Sequence, residues 1–545
     1  MTGLLQLLIL SLGLVGQWSL GLAIACGLTG RFPSFPANEP ANMRVTNVEL
    51  AGLGFTLGIG GTAWLLFVWS WCGGRIGSAS SLALGIAGLL CGIFCWWNMR
   101  CSSRSVTGGS LGDSASWHQE TSGTIPTSSS LREEQQIESE GRDAALESAC
   151  RRAVMFLAIA AIIQALMTPQ RLWDERAIFG LRGIVLFEAG TVHSSELKHP
   201  DFVLGHPRYP LLIPLAEEHV YGLLGQVNDR WSKIVFPMLY LGMVLSFAGV
   251  FMRHTSRGQA WMWALVLATI PALMPHDYGF LCGQADAPVG CFHGVSVLYL
   301  WDYWRNRSRS LRLPSMAMGG SRSLFLAGLC AGLGAFTKDE GLAFLMVDIV
   351  LISAFVVMTF VARRIGRDRI DPIIDVAGNP SAESRPAEAL PRFWTPLLYV
   401  IAAAIILTPW FVYRRELPST TEMEYFRRLT LSRLLEETAS LNWLVGHLVH
   451  RMFAEWWEWG AQWWLVIALW LMFPRRACTS PQLLLIGDIT GALAALIVAG
   501  LLAPVKLEEH IGGSSHRFLM QIAPVAVLFA VGQLIGHRSP GQSRR

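Results

Sequence analysis

The sequence predicts an all-α polytopic membrane protein, and two observations carry this prediction. The 545 residues are 52% hydrophobic and only 15% charged, with a mean hydropathy of +0.41. A single water-exposed core cannot bury that much apolar surface, so an ordinary soluble domain is excluded. The apolar residues also form runs of membrane-spanning length, and 22 Trp and 26 Phe supply side chains for aromatic belts at two membrane interfaces.

These runs divide the chain into three parts. Residues 1–98 predict an N-terminal unit of about three transmembrane helices, near 4–28, 49–71 and 77–98. Residues 99–150 are rich in Ser, Gly and Thr and lack apolar periodicity, which predicts a flexible polar linker. Residues 151–540 predict a main domain of about ten transmembrane helices. Its apolar runs lie near 152–168, 233–252, 259–275, 286–301, 323–337, 341–362, 393–413, 461–473, 482–503 and 518–536.

Short basic loops predict the orientation of the main domain. If its ten helices alternate across the membrane, Arg151, Arg152 and five later basic segments all lie on one side. Lys and Arg are retained on the cytoplasmic side, so this side is predicted to be cytoplasmic. The later segments are 253–257, 304–313, 362–369, 474–476 and the C-terminal tail. We therefore expect an integral protein of a bacterial inner membrane.

The extracytoplasmic side then collects most of the unusual polar clusters, which predicts an active site there. It contains residues 169–232, the short loop "HDYGFLCGQAD", residues 338–341, 414–460 and 505–517. Ten cysteines occur singly, without metal-type spacing, so neither a disulfide framework nor a zinc site is expected. The net charge of +4 is explained by membrane topology, and no nucleic-acid partner is expected.

Two carboxylates open the first extracytoplasmic segment. Asp174 and Glu175 occur in "RLWDERAIFG", ahead of apolar residues at helical spacing, which predicts a juxtamembrane amphipathic helix. Helix capping explains one carboxylate but not both, because adjacent helical residues point in different directions. A catalytic acid is the alternative. His206 and Arg208, in "LGHPRYPLLIPL", either meet an anionic lipid head group or form the basic rim of a rigid turn.

Two more clusters lie at predicted helix ends on the same side. Asp277 and Asp286 occur in "MPHDYGFLCGQADAPVGCF", where Asp286 begins an apolar run and capping is the simpler interpretation. Lys338 and Glu340 occur in a polar turn between two apolar runs, where a charged hairpin tip is the simpler interpretation. Both clusters place charged side chains at the membrane end of a helix bundle, which is a hypothesis of function.

The last cluster precedes the final apolar run. His516 and Arg517 occur in "SSHRFLMQIAP". Arginine at this position is either an interfacial anchor or a clamp for a phosphate group.

The order of these features resembles the C-type membrane glycosyltransferases, especially protein O-mannosyltransferases and lipid A aminoarabinose transferases. "DERAIFG" and "HPRYPLL" match the Asp-Glu opening and the Pro-rich stretch of that family's first external loop. "GQADAPVGCF" and "LAGLCAGLGAFTKDEGL" match its later helix entry and its Thr-Lys hairpin, and "TPWFVYRR" and "HRFLMQIAP" resemble its last motifs. The resemblance covers residues 150–536 and does not extend to residues 1–150.

The resemblance implies a C-type glycosyltransferase-like transmembrane helix bundle with extracytoplasmic juxtamembrane helices. It implies transfer of a sugar from a polyprenyl-phosphate donor to a hydroxyl of a glycan, lipid or protein, with inversion. Asp174 would be the general base, Glu175 would orient it or help to hold a divalent metal ion, and Asp286 would be the second acid.

The resemblance also implies cationic contacts to the donor phosphate. Lys338, Arg517 and either His206 or Arg208 would provide them; where some relatives have Lys, this chain has His206. Further candidate site residues are Asp277, Glu340 and His516.

A transporter or flippase of lipid-linked sugars is the alternative function. Asp348 and Asp488 lie inside apolar runs, where ionisable residues mark proton-coupling sites. A transporter places its key charges near the membrane midplane, whereas the polar clusters of this chain gather at one face. The enzyme is therefore the favoured prediction.

Overall fold

A computed structural model describes residues 2–30, 45–107, 128–310, 317–364, 394–419, 438–503 and 507–535, together with residues 428, 430 and 432. All regular secondary structure in these ranges is helical, which confirms the predicted all-α class. Within them, nine helices are long and apolar enough to cross a membrane. Their length and composition support an integral membrane protein.

Within the described ranges, the first half of the chain contains seven α-helices before the centre of the bundle. They are α1 (Thr2–Thr29), α2 (Asn47–Trp71), α3 (Ser78–Thr107), α4 (Ser128–Met167), α5 (Leu181–Ala189), α6 (Ser195–Lys198) and α7 (Leu212–Leu224). A π-helix (Asp174–Gly180) and two 3-10 helices (Phe202–Gly205 and Trp231–Ile234) lie among them.

Among the described residues, the second half contributes twelve further α-helices and a 3-10 helix (Pro271–Leu273). They are α8 (Val235–Phe251), α9 (Arg257–Ala268), α10 (Asp286–Ser310), α11 (Ala317–Ala335), α12 (Asp339–Arg364), α13 (Trp394–Arg414), α14 (Thr438–Phe453), α15 (Trp456–Trp459), α16 (Gln462–Met472), α17 (Pro474–Ala477), α18 (Ser480–Leu502) and α19 (Leu507–Leu534). Each predicted apolar run coincides with a helix, although the run at 259–275 is divided between α9 and the 3-10 helix.

The centre of the bundle is formed by α8 and the first five turns of α10. Every residue of α8 is buried, as are residues 286–305 of α10. A helix that is apolar on all sides needs neighbours on all sides, so these two helices lie inside the bundle. Large apolar side chains on the outer helices are exposed instead, for example Phe156 on α4 and Val350 on α12. Their exposure is what contact with lipid requires.

The predicted linker is helical in part. Residues 99–107 extend α3, and residues 128–150 form the first half of α4, continuous with the apolar run that follows. The prediction of a flexible linker was wrong for these residues. In residues 128–150, Glu, Gln, Arg and Ala have high helix propensity and form pairs four residues apart, such as Glu138 with Arg142, so a helix needs no apolar periodicity there. Residues 108–127 lie outside the described residues.

The N-terminal helices pack directly on the main domain. α2 lies along α8, and α7 is packed against α1, α2 and α3. Thr46 at the start of α2 donates a hydrogen bond to the carbonyl of Gly249 at 3.2 Å, and Trp64 donates one to the carbonyl of Ile406 at 3.1 Å. One apolar core therefore runs through the N-terminal and later helices.

A buried ion-pair cluster fixes this packing at one end of the bundle. Arg253, after α8, lies 3.2 Å from Glu49 of α2 and 3.1 Å from Asp302 of α10. His254 contacts Asp302 at 2.9 Å, and Tyr299 donates a hydrogen bond to Glu49 at 2.8 Å. The basic loop at 253–257 is thus partly a structural clamp between three helices, because buried charges need such partners.

Candidate active site

A cavity of about 880 Å³ lies at the opposite end of the bundle from the Arg253 cluster. The π-helix, the start of α10, the turn between α11 and α12, the end of α13 and the first turns of α19 meet there. Its charged and polar lining consists of Asp174, His206, Arg208, Tyr209, Asp286, Lys338, Asp339, Glu340, Arg414, Arg415, Ser514, Arg517 and Gln521.

The centre of the charged lining is the buried carboxylate of Asp286. Its Oδ1 lies 2.9 Å from Lys338 Nζ and 3.2 Å from Gln521 Nε2, and its Oδ2 lies 2.6 Å from Arg517 Nη2. The other terminal nitrogen of Arg517 lies 2.9 Å from Asp174 Oδ2. One guanidinium therefore joins the two aspartates that the sequence analysis had placed in separate clusters.

Two further ion pairs surround this centre. Lys338 also lies 2.7 Å from Glu340, and Arg414 binds Asp339 through two nitrogens at 3.0 and 2.9 Å. Burial lowers the pKa of Lys338, but the carboxylates of Asp286 and Glu340 outweigh burial and raise this pKa above its ordinary value. The ammonium group therefore stays charged, held at the turn between α11 and α12.

Glu175 has a different environment from its neighbour Asp174. Its side chain is buried and does not line the cavity. Its Oε2 accepts hydrogen bonds from the backbone N–H groups of Arg171 and Leu172 at 2.7 and 3.2 Å, and its Oε1 accepts one from Gly283 at 2.7 Å. Lys233 Nζ lies 3.4 Å from the same Oε1. These structural contacts explain Glu175, and both of its oxygens are already used.

The local backbone directs the Asp174 side chain toward the cavity. The predicted amphipathic helix begins as a π-helix at Asp174, and no side chain caps it. A π-helical turn changes which side of the helix a residue faces and is frequent at functional sites. The Asp174 side chain is 29% exposed and faces Arg517, whereas Glu175 points inward to the backbone of the α9–α10 connection.

Arg182 of α5 holds the Pro-rich loop in place. It is fully buried and donates hydrogen bonds to the carbonyls of Ile178 at 2.7 Å and Tyr209 at 2.6 Å. His206 has a left-handed backbone with a φ of 46° and stacks on the Tyr209 ring at 4.9 Å. Arg208 Nε donates to the carbonyl of Leu417 at 3.3 Å. The "HPRY" turn is thus a fixed wall of the cavity.

Seven of the ten predicted site residues line the cavity, and three do not. Those that do are Asp174, His206, Arg208, Asp286, Lys338, Glu340 and Arg517. Glu175 is buried behind the wall, Asp277 is exposed outside, and His516 packs against the Tyr278 ring at 4.4 Å. Arg517 and His516 also lie on a helix and not in the predicted loop 505–517, because α19 begins at Leu507.

Sequence reasoning missed Arg414 and Arg415. Both line the cavity, and Arg415 is exposed and forms no ion pair with a described residue. A signal was present in "TPWFVYRR". Two adjacent arginines on the predicted extracytoplasmic side are an exception to the positive-inside pattern, and an exception of this kind indicates a functional cation.

The other end of the cavity is apolar and extends along the transmembrane helices. It is lined by Leu342, Ala343 and Met346 of α12, Phe411 of α13, Ala495, Leu496, Val498, Ala499 and Leu502 of α18, and Phe518 of α19. Met346 is 54% exposed and Val498 is 37% exposed, on the outer surface of the bundle. The cavity therefore opens sideways between α12 and α18, where the helices meet lipid.

Comparisons of the chain with protein-family models, curated proteins and solved structures found no match. What the cavity can bind follows from its own side chains. Its charged end suits an anionic, hydroxyl-bearing head group, because arginine and lysine bind phosphate strongly and carboxylates accept hydrogen bonds from hydroxyls. Its apolar end suits a hydrocarbon chain.

Proposed function

We propose that the protein is a membrane glycosyltransferase, which moves a sugar from a polyprenyl-phosphate donor to a hydroxyl acceptor with inversion. The observation that carries this proposal is the continuity of one cavity from a charged cluster to an apolar groove between α12 and α18. A lipid-linked sugar phosphate has the same division into a polar head and a long apolar chain. The motifs that resemble C-type glycosyltransferases contain the seven predicted site residues that line this cavity, which supports the same function.

The donor phosphate is assigned to the cationic residues that carboxylates do not neutralise. Arg208 and Arg415 line the cavity and form no ion pair with a described residue. Lys338 and Arg517 already bind Asp286. They contribute positive charge near the phosphate and hold the two aspartates in place. In a site shielded from water, such fixed charges stabilise the departing phosphate without reorganisation.

The general base is assigned to Asp174. Asp286 is 1% exposed and receives three hydrogen bonds from Lys338, Arg517 and Gln521, which favour its ionised form and leave no room for an acceptor hydroxyl. Asp174 is half-buried at the cavity wall, and Arg517 is its single ion-pair partner among the described residues. It can take the acceptor's proton as the hydroxyl attacks the anomeric carbon, while Arg517 keeps the carboxylate oriented.

The proposal is tested by lipid binding and by release of the carrier lipid. Native mass spectrometry of the detergent-purified protein should show an adduct with polyprenyl phosphate and a much weaker one with polyprenol of the same length. Arg415→Ala and Arg208→Ala should weaken the phosphate adduct. Arg475→Ala, at an exposed arginine on the other end of the bundle, is the matched control and should leave the adduct unchanged.

Release of the carrier lipid distinguishes an enzyme from a flippase. The solubilised protein, given polyprenyl-phosphate sugars and an extract of cell-envelope acceptors, should release free polyprenyl phosphate, which a flippase of intact lipid-linked sugars cannot do. Binding of polyprenol as tight as that of polyprenyl phosphate would contradict the assignment of the charged end. Binding without any release of carrier would favour the transporter.

A further inference from the structure

A second cluster of chemically active side chains lies inside the bundle, beneath the cavity. His293 of α10, Asp348 of α12 and Asp488 of α18 are 2%, 1% and 0% exposed. One ligand atom from each lies within 4.8 Å of the ligand atoms of the other two. The two aspartates were predicted to be separate charges inside apolar runs. Packing of α12 on α18 brings them together and adds a histidine that the sequence analysis did not single out.

The contacts in this cluster are those of groups facing a common ion. His293 Nε2 lies 3.2 Å from Asp488 Oδ2, yet the two atoms do not have hydrogen-bond geometry. Asp348 Oδ1 and both oxygens of Asp488 accept no hydrogen bond from a described residue. Two atoms that each bind one metal ion at about 2.0–2.2 Å are about 3.0–3.4 Å apart in octahedral or tetrahedral geometry. The 3.2 Å separation of His293 Nε2 and Asp488 Oδ2 lies in that range, and a ligand atom of Asp348 lies within 4.8 Å of ligand atoms of both.

The charge of the two aspartates favours a divalent cation. Two carboxylates in the interior of a helix bundle carry two negative charges, and burying them without neutralisation is strongly unfavourable. A divalent cation cancels both charges at once, and a neutral imidazole adds a nitrogen ligand. Nitrogen and carboxylate ligands together suit first-row divalent ions. We propose that His293, Asp348 and Asp488 bind one divalent metal ion of the Zn²⁺ or Mn²⁺ class.

The residues around the cluster orient the proposed ligands. Tyr399 of α13 donates a hydrogen bond to Asp348 Oδ2 at 2.6 Å, which leaves Oδ1 turned to the other two ligands, and Ser296 lies 3.4 Å from the Tyr399 hydroxyl. The Phe344 ring stacks on the His293 ring at 4.2 Å. Partners of this kind fix the orientation of metal ligands in proteins.

The metal would fasten three helices that carry the active-site charges. His293 lies seven residues after Asp286 on α10, about 10 Å along the helix, and on the same side. α12 begins beside Lys338, and α18 forms the apolar wall of the cavity. A metal that joins α10, α12 and α18 would hold the charged end and the apolar end at a fixed distance. The inference does not depend on what the cavity binds.

The test is metal content of the full-length protein, purified in detergent without metal-affinity chromatography from cells grown with added Zn²⁺ and Mn²⁺. Wild type should retain about one divalent ion per chain after gel filtration, because a buried site with three protein ligands releases metal slowly. His293→Gln and Asp488→Asn, which preserve approximate size, should fall to background. His254→Gln is the matched control, since His254 is equally buried beside Asp302 and should keep the metal.

If the variants do not fold, a measurement on the wild-type protein alone still tests the metal site. Removal of the ion with dipicolinate should lower the melting temperature in detergent, and re-addition of Zn²⁺ or Mn²⁺, but not of Na⁺, should restore it. Wild-type protein free of divalent metal would overturn the proposal and leave a shared proton to neutralise the aspartates. Metal that persists in both variants, or that leaves without any change in melting temperature, would overturn it as well.

Discussion

At the scale of single residues, the adjacent carboxylates of "RLWDERAIFG" have separate tasks. Asp174 lies at the cavity wall and pairs with Arg517, whereas Glu175 is buried and accepts three backbone hydrogen bonds. Neither task is visible from the order of the residues, because the π-helical turn decides which of them faces the cavity. The same substitution, acid to amide, should therefore have opposite effects at the two positions.

At Asp174, the change to Asn should remove activity and preserve the fold. The amide keeps an oxygen for Arg517 and loses only the ability to take a proton. Turnover should fall on the order of a hundredfold or more, with polyprenyl-phosphate binding and melting temperature near wild type. Carrier-release kinetics and native mass spectrometry measure the two quantities. Near-normal turnover in a well-folded preparation would show that Asp174 is structural.

At Glu175, the change to Gln should mainly destabilise the protein. One carboxylate oxygen accepts hydrogen bonds from the N–H groups of Arg171 and Leu172, and the other accepts one from Gly283. Gln keeps only one acceptor oxygen, so its NH2 group must face N–H donors at one of these two places. The loss of charge-assisted bonds at a buried position should cost about 1.5–3 kcal/mol of stability. Thermal unfolding in detergent measures it. Unchanged stability combined with lost turnover would instead place Glu175 in the chemistry.

A buried acid on α7 predicts a dependence of stability on pH. Burial raises the pKa of Glu218 to about 8 from an ordinary 4.5, and burial lowers the pKa of its neighbour His219 to about 4 from 6.5. The folded protein keeps the Glu218 proton that the unfolded chain releases. The contribution of Glu218 to the free energy of unfolding is therefore complete at a pH below its pKa in the unfolded chain. It is lost as the pH rises through its pKa in the folded protein.

The expected result is a melting temperature that falls between roughly pH 6.5 and pH 8. Below that window, His219 makes stability rise with pH, because the unfolded chain binds a proton at His219 that the folded protein does not bind. The effects of Glu218 and His219 then offset each other. Glu218→Gln should reduce the fall. Glu217, whose pKa burial also raises, accounts for the remainder. A fall of equal size in the variant would contradict the assignment to Glu218.

At the scale of helices, α18 forms one wall of the apolar end of the cavity. Ala499 lines the cavity, whereas Ala494, on the same helix, is exposed and does not line it. Small residues on α18 leave room for a chain between α12 and α18. The groove exists because neither helix fills it, although both are apolar enough to pack more closely.

Ala499→Phe should therefore fill the groove and exclude the donor's hydrocarbon chain. The affinity for polyprenyl phosphate should fall at least tenfold, since about 1.4 kcal/mol of lost binding corresponds to that factor. Ala494→Phe places the same ring toward lipid and should leave the affinity unchanged. Equal loss in both variants would indicate a general disturbance of α18, and no loss in either would place the chain elsewhere.

At the scale of the whole molecule, the helix ends sort onto two faces. The cavity and the segment around His193 and Glu416 lie on one face. The Arg253 cluster and the ends of α10 and α19 lie on the other, where Arg305 and Arg476 donate hydrogen bonds to the carbonyls of Ile535 and Gln533. This arrangement is the one that simple alternation of the spans requires. Which face meets the cytoplasm is a prediction from charge.

Two native cysteines can test that orientation. Cys72 follows α2 on the cavity face, Cys478 follows α17 on the other face, and both are exposed. In intact cells, a membrane-impermeant maleimide should label the protein, and Cys72→Ser should abolish this labelling. Cys478 should react only after the membrane is opened. Labelling of Cys478 in intact cells would reverse the predicted orientation.

The sequence by itself determined the helix class, the position of nearly every apolar helix and the common face of the polar clusters. These properties follow from local hydropathy and helix length, which depend only on the residues of each segment and not on the helices that pack against it. It also pointed to seven side chains that line the cavity. Five of them lie at or near the ends of apolar runs, and the other two, His206 and Arg208, lie in the Pro-rich stretch.

Only the tertiary structure decided which of these groups meet. The bridge of Arg517 between Asp174 and Asp286 joins residues 112 positions apart or more along the chain. The burial of Glu175, the packing of α2 on α8 and the convergence of His293, Asp348 and Asp488 likewise depend on which helix faces pack together. Hydropathy is nearly uniform around such helices, so it cannot specify their partners; close packing and the pairing of buried charges specify them.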